Sequence, residues 1–159
     1  MQHHISALGL DIGNRRIGVA GCDRSGLIAT GITTLSSKSF QDVVDALRNL
    51  VEERQVQVLV VGLPYTMNGE IGSQARKVTR LAERISAALA LPLEFIDERL
   101  TSFEAKQMLI AEGGSPRYQK ELIDRKAAAL ILQQWLDKRP RPQGGLSLDK
   151  ESNMGFDPA

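Results

Sequence analysis

The chain has one cysteine, Cys22, among 159 residues, so an intramolecular disulfide is impossible. This scarcity fits a reducing compartment such as the cytoplasm. Only two histidines occur, side by side at positions 3 and 4, so no Cys/His set has the spacing of a zinc site. Cys22 lies in a predicted strand with no base beside it in sequence. We therefore interpret it as a small core residue and not as a nucleophile.

Long hydrophobic runs and an excess of one charge are also absent. No stretch approaches the roughly 20 apolar residues of a membrane helix, so we expect no membrane partner. The 20 Lys and Arg residues balance 19 Asp and Glu residues, which leaves a net charge of +1. Any contact with nucleic acid must therefore depend on local basic clusters. The oligomeric state cannot be inferred from these properties.

Hydrophobic periodicity predicts an α/β fold. Three strands joined by short turns should form an antiparallel meander: 5–12, 16–23 and 27–34. Two further strands, 56–61 and 93–96, alternate with helices. We expect helices that start after Ser39, at about 73, at Thr101 and at about 121. The result is a mixed five-stranded sheet, with three antiparallel and two parallel strands, flanked by helices.

The same periodicity divides the chain into a domain and a tail. Residues 1–138 carry the whole pattern of helices and strands. Residues 139–159 are rich in Pro, Gly and charge and have no apolar period. We therefore expect one domain, 1–138, followed by a disordered C-terminal tail.

The first candidate functional residue is Asp11, at the end of the first strand. Leu8, Leu10 and Ile12 alternate onto one face, which puts Asp11 on the other face beside small residues. A carboxylate placed there is unfavourable unless a cation or a hydrogen-bond donor meets it. The alternative is that Asp11 caps a turn, a common role for Asp.

Two other segments supply further acids. Asp97 and Glu98 end the last strand, at the sheet edge where ligands bind in open α/β folds. Adjacent strand residues point to opposite faces, so at most one of them can join Asp11. We expect Glu98 in that place, with Asp97 as the alternative. The alternative is that both acids are solvated at an exposed strand end and have no functional role.

Asp124 falls on the predicted last helix, in line with the apolar stripe that should face the sheet. The alternative is that Asp124 caps the helix N-terminus. Three acids from separate elements at one end of a sheet form an oxygen-rich site suited to Mg²⁺ or Mn²⁺. Such a site can bind one or two divalent ions that stabilise the reacting oxygens of a phosphodiester. We therefore predict that Asp11, Glu98 and Asp124 are the catalytic residues and the metal ligands.

Basic residues cluster beside two glycine-containing turns. Arg15 and Arg16 follow Asp11, and a glycine-rich loop at 62–72 leads into a helix with a basic face. We predict that five of these side chains bind the phosphates of the substrate: Arg15, Arg16, Arg76, Lys77 and Arg80. For the helix residues, an ordinary solvated face is the alternative.

Four motifs in this order resemble the YqgF family, also called RuvX: GLDIGNRRIGVA, VGLPYTMNGEIGSQARKV, DERLTS and IDxxAAAxILQQWLD. The resemblance covers residues 5–138. It implies a ribonuclease H-like fold, divalent-metal hydrolysis of phosphodiesters and a cytoplasmic role in ribosome biogenesis. The family is described as nucleases that mature the 5′ end of pre-16S ribosomal RNA, and earlier as Holliday junction resolvases. Its acids fall on Asp11, on the Asp97–Glu98 pair and on Asp124.

Three other functions remain possible at this point. A resolvase would keep the chemistry and cut four-way DNA junctions. A kinase or actin-like ATPase also places an Asp after its first strand, but it needs a second, duplicated domain for which this chain has no room. A non-catalytic nucleic-acid-binding module is the last alternative, and it gains nothing from a buried acidic cluster. We favour the rRNA nuclease.

Overall fold

The computed structural model describes residues 4–64, 72–98 and 116–139, the side chains of 116–119 excepted. Five strands form one mixed sheet: β1 (Ala7–Ile12), β2 (Arg16–Cys22), β3 (Ala29–Ser36), β4 (Val58–Leu63) and β5 (Leu93–Asp97). The order across the sheet is β3-β2-β1-β4-β5. β1, β2 and β3 are antiparallel, whereas β4 runs parallel to both β1 and β5. The predicted sheet is confirmed.

In the described part of the chain, three helices cover this sheet: α1 (Phe40–Arg54), α2 (Ser73–Leu89) and α3 (Pro116–Lys138). Helices α1 and α2 pack on one face, where Leu8 and Leu10 of β1 meet Leu47 and Ile85. Helix α3 packs on the other face, and its buried residues include Ala128, Ile131 and Leu132. The predicted alternation of β1 is confirmed, because even-numbered positions face α1 and α2 while odd-numbered positions face α3.

The start of β3 differs from the prediction. Strand β3 begins at Ala29, whereas the sequence pattern placed its start at 27. The Asp23 carboxylate accepts the backbone N–H groups of Leu27 and Ile28, each at 2.9 Å, which holds both residues in the loop. Their side chains are exposed, Leu27 by 44% and Ile28 by 62%. An Asx-type loop therefore replaces the first two residues of the expected strand.

Helix α3 also begins earlier than expected, at Pro116 and not at about 121. Proline is favoured in the first turn of a helix, where its missing N–H has no intrahelical partner. Asp124 consequently lies inside the helix and does not cap it. The predicted helix after Thr101, the glycine-rich loop from 65 to 71 and the predicted tail lie outside the described residues. Among the described helices, none is long and apolar enough to cross a membrane.

Candidate active site

Asp11 lies on the face of the sheet that packs against α3, directly opposite Gly18 of β2 in the antiparallel register. Burial, and to a smaller extent the nearby charge of Asp124, raise the pKa of this carboxyl from 3.8 to about 6. A hydrogen bond with Glu98 acts in the opposite direction. The acid is thus placed where its charge is unfavourable without a positive partner.

Glu98 reaches the same face from the neighbouring parallel strands. Its backbone N–H donates to the carbonyl of Leu63 at 3.1 Å, which continues the pairing of β4 with β5 by one residue. Gly62 makes room for the side chain, because a Cβ at Gly62 would lie 2.7 Å from Glu98 Oε1. Burial raises the pKa of Glu98 to about 8, with further contributions from Asp11 and Asp97.

The hydrogen bond between Asp11 and Glu98 joins two carboxyl groups, so one of them must carry a proton. The bond raises the pKa of Glu98 and lowers that of Asp11, which favours Glu98 as the donor. Two carboxylates in direct contact cannot both be ionised without a compensating positive charge. The pair therefore stores one proton at neutral pH.

Asp97 stands on the other side of the sheet. It pairs with Leu63 in the β4–β5 register, and adjacent strand residues point in opposite directions. Its predecessor on the same face, Phe95, packs against the core under α1 and α2. Of the two acids at the strand end, Glu98 is thus the one that contacts Asp11.

Asp124 approaches Asp11 from α3 because that helix lies very close to β2. A Cβ at Gly18 would come within 1.9 Å of the Asp124 carbonyl oxygen, so only glycine permits this packing. The Asp124 carboxylate accepts a hydrogen bond from Arg16 Nε at 2.5 Å and forms an ion pair with it. The Asp124 side chain is 16% exposed and that of Arg16 37%.

Sequence reasoning missed the contacts that hold α3 in place. Thr34 of β3 donates its hydroxyl to the carbonyl of Glu121 at 2.7 Å and accepts a hydrogen bond from Arg125 Nε at 3.2 Å. Arg125 also lies 3.6 Å from the Glu121 carboxylate. These partners are about 90 residues apart in the chain, so no local pattern could have indicated them. They anchor the helix turn that carries Asp124.

The predicted basic residues fall into two groups. Arg16 forms an ion pair with Asp124, and Arg15 is exposed in the β1–β2 turn beside it. Arg76, Lys77 and Arg80 are exposed on α2, which packs on the opposite face of the sheet from α3. The structure therefore brings Arg16 to the acidic cluster and leaves the α2 residues on the other side of the sheet.

The arrangement is compact but is not a formed ion-binding cage. Within residues 4–64, 72–98 and 116–139, no three His, Cys, Asp or Glu side chains stand as a ready set of metal ligands. Asp11 and Glu98 are bonded to each other, and Asp124 is paired with Arg16. The predicted roles of these residues as metal ligands and catalytic groups therefore stay predictions.

The fold of this chain is shared with a protein of known structure. RuvC of Thermus thermophilus, solved in complex with a Holliday junction substrate, has the same fold with a TM-score of 0.51. At 14% identity, the two share the fold over 84% of this chain and 94% of that one. The ribonuclease H-like fold is thereby confirmed.

The family follows from closer matches. The model of the family described as "RuvX: Holliday junction resolvase" matches residues 5–138. A protein of Trichormus variabilis is 61% identical over 150 residues, which cover 94% of this chain and 99% of that protein. One of Acaryochloris marina is 63% identical over 136 residues, with coverages of 86% and 94%. Both are named "Putative pre-16S rRNA nuclease".

The chain belongs to the RuvX family. The predicted resemblance is confirmed, and so is the predicted class of enzyme, a nuclease that hydrolyses phosphodiester bonds.

Proposed function

We propose that this protein is a divalent-metal-dependent nuclease that acts in the cytoplasm on the precursor of 16S ribosomal RNA, at its 5′ end. The observation that carries the proposal is the meeting of Asp11, Glu98 and Asp124 from three separate elements at one end of the sheet. The 61% identity to a protein named for pre-16S rRNA supports this substrate.

The acids fit Mg²⁺ or Mn²⁺ by their chemistry. All of their donor atoms are carboxylate oxygens, which hard divalent cations prefer. Without a cation, two positive charges reduce the repulsion among the acids: the proton between Asp11 and Glu98, and the guanidinium of Arg16. One or two divalent ions would supply the charge that stabilises the attacking and leaving oxygens of a phosphodiester.

The protein's own residues have distinct parts in the proposed reaction. Asp11 and Glu98 would hold the cation once their shared proton has left, and Asp124 would complete the set. Arg16 is placed to exchange its ion pair with Asp124 for a phosphate oxygen, because a guanidinium binds both groups in the same geometry. Arg15 would contact the neighbouring phosphate. The α2 residues, Arg76, Lys77 and Arg80, would bind the backbone further away.

The test is a cleavage assay with purified protein and Mg²⁺ or Mn²⁺ on three substrates: free pre-16S rRNA, a precursor ribosomal particle and a synthetic four-way DNA junction. We expect cleavage of the rRNA precursor near its mature 5′ end, and none with Asp11→Asn. An rRNA precursor left intact by wild-type protein, both free and in the particle, would refute the proposed substrate.

Resolution of Holliday junctions is the second candidate, because the family model carries that description. It would require two active sites in a dimer, since both strands must be cut symmetrically. Symmetric cleavage of the four-way junction with the rRNA untouched would favour this function. We further propose that residues 1–138 form the catalytic domain and that 139–159 are dispensable for cleavage, which a truncated chain in the same assay would test.

A further inference from the structure

A second concave site lies at the end of the sheet opposite the acids. It is a cleft of about 520 Å³, formed where β1 begins, β2 ends and α1 leads into β4. The lining residues are 4–6, Cys22, Arg24, 53–55 and Gln57. This volume lies within the range of small-molecule binding sites and exceeds the space of a single ion. Ser6 and Asp11 are five strand residues apart, so the two sites are about 17 Å apart at ~3.3 Å per residue.

The residues that line the cleft carry more positive than negative charge, with two arginines and one acid. Within the described part of the chain, no carboxylate forms an ion pair with Arg24 or Arg54. The nearby carboxylate of Asp23 accepts from Ser25, Leu27 and Ile28 in its own loop, and its negative charge also acts on Cys22 in the cleft. Glu53 is the one acid among the lining residues.

The guanidinium of Arg54 is held in place by the shape of β2. It lies against Gly21, where a Cβ would come within 2.7 Å of Arg54 Nη1. One N–H donates to the carbonyl of Cys22 at 3.5 Å, which leaves its other donors for a ligand. Burial raises the pKa of the Cys22 thiol and the negative charge of Asp23 raises it further, whereas the smaller effects of Arg54 and Arg139 lower it, so both guanidinium groups lie near the cleft.

We propose that this cleft binds a phosphate group carried by a nucleotide-sized ligand, with Arg24 and Arg54 as the phosphate-binding side chains. Two guanidinium groups with free donors favour a phosphate, which accepts two hydrogen bonds from each. The amide of Gln55 supplies a donor and an acceptor for the rest of the ligand, and Gln57 supplies its Nε2 donors, because its Oε1 accepts the Ser6 N–H at 3.0 Å. The phosphate can belong to a free nucleotide or to one residue of an RNA strand. The site is separate from the proposed nuclease centre and does not depend on its activity.

The single cysteine of the chain provides the readout, because Cys22 lines the cleft. We would measure its alkylation by iodoacetamide, an uncharged reagent, by mass spectrometry of the full chain at pH 8.5 with a chelator present. The probes are AMP, adenosine, inorganic phosphate and a 12-nucleotide RNA. With AMP at ten times its Kd, alkylation should slow by about tenfold, because only the unoccupied protein reacts. Adenosine, which lacks the phosphate, should give no protection.

The variants test the two arginines. Arg24→Ala, an exposed position, should weaken protection by AMP at least about tenfold, through the loss of charge-assisted hydrogen bonds. Gly21→Ala keeps every charge but displaces the Arg54 guanidinium, so it should also weaken protection. Lys38→Ala removes an equal charge outside the cleft and should leave protection unchanged.

The comparison of AMP with RNA also distinguishes the source of the phosphate. Protection by RNA at concentrations at least 100 times below those of AMP would assign the cleft to a nucleic-acid strand, and equal potency would assign it to a free nucleotide. The proposal would be overturned if AMP, phosphate and RNA all left the rate of Cys22 alkylation unchanged. Equal protection by AMP and adenosine would also overturn it, because the cleft would then not recognise the phosphate. Loss of cleavage in the nuclease assay has no bearing on either outcome.

Discussion

One end of the sheet has a cluster of acids and the other end has a pair of arginines, and the repulsion between like charges is reduced differently at each end. At one end, Asp11, Glu98 and Asp124 are drawn together by packing, and their repulsion is reduced by a shared proton and by Arg16. At the other end, Arg24 and Arg54 remain open to solvent beside a cleft. The acidic end is internally compensated and tightly packed, whereas at the open basic end no carboxylate of the described residues forms an ion pair with either arginine.

This difference has a physical basis in side-chain length. Carboxylates on short side chains must be placed by the backbone, and glycines at 18 and 62 provide the close approach. Arginine side chains are long, so they keep their charge in water while their stems pack on the protein. The acidic end should therefore be sensitive to small changes in packing, and the basic end should respond mainly to changes in charge.

The largest expected effect is at the acids themselves. Asp11→Asn should reduce cleavage of pre-16S rRNA more than about 100-fold, because even partners outside the direct ligands of a metal are worth 10–100-fold. Asp97→Asn is the matched control, since Asp97 lies on the opposite face of the sheet from Glu98. Single-turnover assays would compare Asp11→Asn with Asp97→Asn, and also Glu98→Gln with Asp97→Asn. A larger loss of cleavage with Asp97→Asn than with Glu98→Gln would show that the assignment of Glu98 to the site is wrong.

The packing at Gly18 should be the next most sensitive feature. Gly18→Ala would push the new Cβ into the Asp124 backbone, so we expect a loss of about 1–3 kcal/mol in the free energy of unfolding. Urea denaturation measures this loss. Gly13→Ala is the control, because its nearest contact would be 3.1 Å away. Equal stability of both variants would contradict the close approach of α3 to β2.

The Arg16–Asp124 ion pair should compete with cation binding. Arg16→Ala removes the positive charge next to Asp124, so the affinity for Mn²⁺ should rise by up to about tenfold, as expected for one charge at contact distance in a solvated site. Arg15→Ala, an exposed neighbour, should change it far less. Titration calorimetry would compare the two variants. A fall in Mn²⁺ affinity with Arg16→Ala would mean that Arg16 orients Asp124 for the cation and does not compete with it.

The last prediction concerns pH. The folded pKa values of Asp11 and Glu98, about 6 and about 8, lie above their ordinary values of 3.8 and 4.5. The folded state therefore binds more protons than the unfolded state between about pH 4 and pH 8, so this pair makes the protein less stable as pH rises through that window. With a chelator present, the melting temperature of wild type should fall more between pH 5 and pH 8 than that of Asp11→Asn. Parallel pH profiles would argue against the shared proton.

Much of this architecture could be predicted from the sequence because the deciding forces are local. Alternation in β1 and the helical period of α2, found at Ser73–Leu89 as expected, are properties of consecutive residues. The start of β3 could not be predicted, because the apolar Leu27 and Ile28 look like strand residues until Asp23 is seen to bind their N–H groups. The start of α3 was placed too late for a similar reason, since the first turn of that helix lacks an apolar stripe.

The sheet and the order of its strands along the chain follow from the amino-acid sequence, because apolar periodicity and turn chemistry involve neighbouring residues. Helix and strand packing brings Glu98 against Asp11 and pairs Arg16 with Asp124, 108 positions away in the chain. It also brings four cationic or amide side chains, Arg24, Arg54, Gln55 and Gln57, to one cleft. These contacts depend on how the strands and helices pack in three dimensions, and no local pattern encodes the distance between two elements.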